Sequence, residues 1–294
     1  MIYGRASMEG VVLTVRMNEY TSRSANPNVP WTPEELAADA AACLEAGAAI
    51  VHFHGRDPAT GRPNPDASVL SDTVKLINDA CNAVTYCTLG AGLDQDRETR
   101  LASLTGAATK PDLAPVDLGS FNLDPYDPTT KSFAVDEGLY VNTVGVVRHL
   151  TEGIVAAGVR PAAVVWNIGS LRLLGALLDQ GLWPAPVYAE LILSDRLLSV
   201  HPATPEGLET LLRFRPAGVP MTWTAICAGD LMPLVDTVVA AGGGLSFGLG
   251  DHPYLDLGLP TNADVIAAVV ERLRLLGKRP ATPDEVREQL RLNT

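Results

Sequence analysis

Short apolar runs rich in β-branched residues alternate along this chain with longer stretches whose apolar positions recur every three or four residues. The runs cover residues 11–15, 49–53, 84–88, 113–118, 162–168, 187–193, 221–227 and 245–249. The stretches between them carry helix punctuation. In Thr32-Pro33-Glu34-Glu35 the threonine is placed to cap, the proline fits the first turn and Glu35 completes a capping box; Thr204-Pro205-Glu206 and Thr282-Pro283-Asp284-Glu285 repeat the signal. Gly47, Gly158, Gly181, Gly242 and Gly277 each follow a helical stretch, where a left-handed residue ends a helix.

Strand and helix in strict alternation predict parallel strands joined by right-handed crossovers. Eight such units close into a (β/α)8 TIM barrel, an α/β fold. The alternative is an open doubly wound sheet, but no G-x-G-x-x-G follows any run. The expectation is one barrel domain over residues 1–294, with an extra helix near 282–292 for packing or oligomer contacts. Residues 124–137, dense in proline and turn formers, read as a long excursion after the fourth strand.

Composition narrows the partners. With 47% hydrophobic and 19% charged residues in 294, the chain can bury a full core. Lys and Arg number 22 against 34 Asp and Glu, a formal charge of −12 that repels phosphate backbones and anionic lipid, so neither nucleic acid nor membrane is an expected partner. No cationic segment followed by an apolar one opens the chain, and no apolar run is long enough to span a bilayer. Cys43, Cys81, Cys87 and Cys227 lack C-x-x-C spacing and read as core thiols, which suits a reducing cytoplasm.

In a barrel the chemistry gathers at the C-terminal ends of strands. The second run ends in Val51-His52-Phe53-His54-Gly55-Arg56-Asp57, where the period of two turns His52 and His54 to the same side. Two imidazoles so placed can converge on one zinc ion or similar cation; the plainer reading is a pair of hydrogen-bonded core histidines. His149 and His201 read as surface and loop residues, and His252 as either a pocket or a loop residue. Other strand-end candidates are Asn18, Glu19, Thr88, Ser120, Asn122 and Asn167. Glu190 lies among Val187, Leu191 and Ile192, where a carboxylate needs a cation: a metal, or an arginine beside an outward-facing position. Asp251 ends the eighth run and can accept a substrate proton or cap a turn. Arg56 can bind an anionic group or anchor its loop through Asp57.

The His52-Phe53-His54-Gly55-Arg56-Asp57 block, the preceding Asn26-Pro27-Asn28-Val29-Pro30-Trp31-Thr32-Pro33-Glu34-Glu35, Leu118-Gly119-Ser120-Phe121-Asn122 and Gly248-Leu249-Gly250-Asp251 together resemble the β-keto acid cleavage enzymes, over nearly the whole chain. The resemblance implies a zinc-dependent barrel, commonly a homotetramer, that condenses a β-keto acid with acetyl-CoA to release acetoacetate and a new CoA ester. It implies His52 and His54 as metal ligands, Asp251 as the base, and Thr88 near the place of a substrate-binding serine. It also exposes departures: the family's third ligand, a glutamate, falls at Gly250, its arginine partner of the aspartate at Ser246, and its specificity glutamate at Val164. Glu190 is therefore expected as the replacement ligand, with Zn2+ or another divalent transition metal as cofactor. Glu19, Thr88, Ser120 and Asn122 are expected to bind substrate. Two other readings stand beside this one, an amidohydrolase-type hydrolase, which would need further histidines where this chain has Asn167 and Glu190, and a barrel that binds metal and ligand without catalysis.

Overall fold

The strands of this chain are short because each needs only a few residues to cross a barrel wall, and their inward and outward faces are both apolar because helices cover the outside. A computed structural model describes residues 10–19, 21–90 and 96–292. Eight parallel strands close into a barrel: β1 (Leu13–Arg16), β2 (Ile50–Phe53), β3 (Val84–Cys87), β4 (Leu113–Asp117), β5 (Arg160–Val165), β6 (Val187–Leu193), β7 (Met221–Cys227) and β8 (Gly244–Phe247). Each strand pairs with its sequence neighbours, and β1 closes on β8 through Leu13↔Leu245, Thr14↔Ser246 and Val15↔Phe247. This is the (β/α)8 barrel, not the open sheet.

The helices α1 (Pro33–Ala46), α2 (Ala67–Ala80), α3 (Arg97–Gly106), α4 (Val144–Ala156), α5 (Ile168–Asp179), α6 (Pro205–Arg213), α7 (Val235–Ala240) and α8 (Asn262–Leu275) wrap the outside. The predicted caps form. Thr32 and Glu35 make a reciprocal capping box on α1, and Gly47 ends that helix at φ 118°. The fifth run ends earlier than its apolar pattern suggested, because Asn167 accepts the Ser170 N–H and caps α5 instead of facing the barrel.

The C-terminal helix α9 (Pro283–Leu290) is used for packing. Its buried Val286 and Leu290 join Val12, Ile50, Val84, Leu113, Ala162 and Tyr188 in an apolar cluster at the N-terminal end of the barrel. With that end stoppered, the opposite mouth is left for chemistry. The excursion after β4 folds into two small ribbons, pairing Phe121–Asn122 with Leu139–Tyr140 and Tyr126–Asp127 with Ser132–Phe133. Turn formers at its tip allow the reversal, and the Tyr126 and Phe133 rings pack 5.2 Å apart across it. Among the described residues no helix is long and apolar enough to cross a membrane.

Candidate metal and acid–base site

Register carries the site around the barrel wall. Arg16 pairs with His52, and His52 with Tyr86, so side chains from β1, β2 and β3 point inward at one level. Just beyond β1 the chain turns, and Glu19 adopts φ 28°, a left-handed conformation that costs a non-glycine residue about 1–3 kcal/mol. The turn aims its carboxylate back at β2. Glu19 Oε1 lies 3.0 Å from His52 Nε2 and Glu19 Oε2 2.6 Å from His54 Nε2. One nitrogen from each histidine and one carboxylate oxygen lie within 4.8 Å of one another, all three residues being buried.

Neighbouring amides fix this geometry. Asn18 accepts the His54 N–H at 2.9 Å and donates to the His54 carbonyl at 2.9 Å, tying the end of β1 to the end of β2. Asn262, buried at the start of α8, accepts the Leu249 N–H and donates to the Met17 carbonyl and Asp39, tying β1 to the loop after β8.

Arg16 is the hub of the charges. Its Nε lies 2.8 Å from Asp251 Oδ2, and its terminal nitrogens lie 3.1 Å from Glu19 Oε2 and 3.6 Å from Glu190 Oε2. Glu190 also accepts the Tyr86 hydroxyl at 2.8 Å. Three carboxylates thus surround one guanidinium in a buried space. Burial opposes ionisation of Glu19, yet Arg16, His52 and His54 hold its carboxyl well below the usual range. Burial, with repulsion from Glu19 and Glu190 and against the pull of Arg16, raises Asp251 to about 7. Burial likewise raises Glu190 to about 7, despite Arg16 and Tyr86. Burial outweighs the attraction of Glu19 at His52 and lowers that imidazole to about 4, so it is neutral at pH 7 with a lone pair to offer.

The residues therefore fit a divalent cation. The donor set is two imidazole nitrogens and a carboxylate that its neighbours keep ionised, and Glu19 Oε1 is buried without a hydrogen bond. The carboxylate that lies with the two histidines is that of Glu19, expected to bind substrate, whereas Glu190, the expected third ligand, is held by Tyr86 and Arg16 outside that group. Gly250 shows the steric reason. A Cβ there would come within 2.4 Å of Glu19 Cγ, so the side chain of Glu19 fills the space a side chain at 250 would need.

The remaining candidates scatter. Thr88 lines a small crevice with Phe53, Gly55, Asn64 and Ser103. Ser120 uses its hydroxyl to accept the Asn142 N–H at 2.8 Å, and Asn122 is exposed on its ribbon. His149 stands 3.2 Å from Glu98, and the His252 ring packs 4.8 Å from Tyr254. Arg16 and Tyr86 were not foreseen. An arginine two positions beyond Thr14 on an apolar run was the available signal, since an inward guanidinium demands carboxylates.

Comparison with known proteins agrees with this architecture. A 3-dehydrocarnitine:acetyl-CoA trimethylamine transferase of Rhizobium meliloti is 28% identical over 291 residues, covering 92% of each chain. A 3-keto-5-aminohexanoate cleavage enzyme of Acetoanaerobium sticklandii is 26% identical over 287 residues, covering 96% of this chain and 98% of the relative. The apo structure of ObcA superposes with a TM-score of 0.72 at 17% identity, over 91% of this chain and 66% of that longer one, a likeness of fold. The beta-keto acid cleavage enzyme family model matches residues 10–292, and the chain belongs to that enzyme family.

Proposed function

We propose that the protein condenses a β-keto acid with acetyl-CoA, releasing acetoacetate and the CoA ester of the remaining acyl group. The observation that carries this reading is the convergence of Glu19, His52 and His54 beside Asp251, with Arg16 in contact with both carboxylates. These three residues would hold a divalent cation, zinc by the donor set, and when bound it would supply a Lewis acid at the keto oxygen.

The chain's own residues do the rest. Asp251 Oδ2, held by Arg16 Nε at 2.8 Å, takes a proton from the carbon between the keto and carboxylate groups. A carboxyl raised to about 7 is a far better match to that task than an exposed aspartate. The carbanion forms a bond to the thioester carbonyl carbon, and CoA thiolate leaves. The thiolate adds to the former ketone, the carbon–carbon bond beside it breaks, and the acetoacetate carbanion recovers the proton from Asp251. Arg16 keeps Asp251 oriented through both transfers, and Tyr86 with Glu190 fixes Arg16 from below. No covalent bond to the protein is needed, in keeping with the buried thiols of Cys43, Cys87 and Cys227.

A homotetramer in the cytoplasm belongs to the same proposal. Support comes from the four free cysteines and from Phe133, Val135, Leu139 and Leu198, exposed together around the β4 excursion. The test is to incubate zinc-loaded protein with acetyl-CoA and a panel of β-keto acids while following acetoacetate. Formation that requires both partners supports the reading; CoA-independent hydrolysis, or ligand binding without turnover, overturns it.

A further inference from the structure

Glu19 reaches the histidines only because its backbone is held in a conformation that a glutamate disfavours, at φ 28°. What holds it is a buried guanidinium. Arg56 Nη2 donates to the carbonyls of Asn18 and Glu19, and Nη1 donates to Thr21 O at 2.9 Å and Gly61 O at 3.1 Å. Its own seat is firm. Arg56 bridges Pro63, and the turn between them is closed by Asp57 N–H to Arg62 O and Gly61 N–H to Asp57 O, each at 2.8 Å. The fork therefore fastens the loop after β1 to a rigid turn after β2, the strand that carries the histidines. Thr21 adds a second tie, its hydroxyl donating to the Gly250 carbonyl.

We propose that Arg56 is a positioning residue for the metal site: by gripping successive carbonyls around Glu19 it aims that carboxylate at His52 and His54. This rests on the ligand set proposed above. It also explains the choice of residue, since a planar guanidinium serves several carbonyls at once and an ammonium cannot present the same fixed fork. The anionic-group reading of Arg56 gives way, because its terminal nitrogens are committed to the backbone.

The experiment titrates Zn2+ alone into the metal-free full chain, in competition with a chromogenic chelator. Arg56→Lys and Arg56→Ala should each bind Zn2+ about 10- to 100-fold more weakly, the range for outer-shell residues of metal sites. Gly250→Ala, whose methyl group would collide with Glu19 Cγ, should weaken binding by an independent route. Arg100→Lys, altering another buried arginine, which donates to Asn142 and Tyr140, should bind Zn2+ as the wild type does. At saturating Zn2+, Arg56→Lys should recover wild-type kcat within a few-fold, as a residue acting only through ligand geometry must. If Arg56→Ala does not fold, Arg56→Lys decides. Wild-type Zn2+ affinity in Arg56→Lys overturns the proposal alone, whereas failure of the wild type to bind any divalent cation overturns the ligand set with it.

Discussion

The two sides of the barrel mouth are built from the same alternation of inward and outward residues and could hardly differ more. On the side of β1, β2 and β8, Arg16, Glu19, His52, His54 and Asp251 are buried or nearly so and answer one another by charge. Across the barrel, on β5 to β7, Val164, Ile192 and Ile226 pack with Val200, Trp166 and Leu197 in a separate apolar cluster. Glu190 marks the boundary, two residues before Ile192 on β6 yet held by groups from β1 and β3. The contrast teaches where each kind of interaction is used. The apolar side is satisfied by packing as it stands, while the charged side gathers a buried carboxylate and two imidazoles into a donor set that fits a divalent cation.

Breaking the charged side should have the largest effects. His52→Ala should abolish stoichiometric metal binding and lower turnover about a thousandfold, the equivalent of the several kcal/mol that a Lewis acid supplies; metal analysis alongside initial rates checks both. Asp251→Asn should separate the functions, keeping the metal while turnover falls about 10²- to 10⁴-fold. A metal-free Asp251→Asn protein would place Asp251 among the ligands. In the wild type the base works only when ionised. Its carboxyl is raised to about 7 in the metal-free chain, while a dication at Glu19 would draw it down, so kcat/KM should climb with pH to an inflection below about 7 and then level off. A flat profile between pH 5 and 8 would remove Asp251 from that role.

Arg16→Met should destabilise the metal-free protein by about 3–5 kcal/mol in denaturant unfolding, because it strands buried carboxylates. Added divalent cation should recover part of that loss. The smallest effect belongs to the apolar side: Ile226→Val should cost about 0.5–1.5 kcal/mol and leave metal affinity unchanged, since that side is held by packing. A large change in metal affinity there would mean that the two sides are coupled.

The alternation of runs and capped stretches was enough to specify the barrel, because strand and helix periods and caps are local properties of the chain. The paired inward histidines were legible for the same reason: His52 and His54 need only the period of β2 to face one way. Asn167 misled because a polar residue after an apolar run has two uses, and the helix cap claimed it. The third member of the histidine group was not legible. Glu19 and Glu190 are both carboxylates at strand positions, and choosing between them requires a backbone angle, the space left by Gly250 and a grip by Arg56 from a different loop. Arg16 could be seen as an arginine in need of partners, but Asp251 comes to it only when β8 closes on β1. Local periodicity thus determined the cylinder and one pair of nitrogens. Barrel closure, which brings the first and last strands side by side, decided which charges share a buried space and hence what that space can bind.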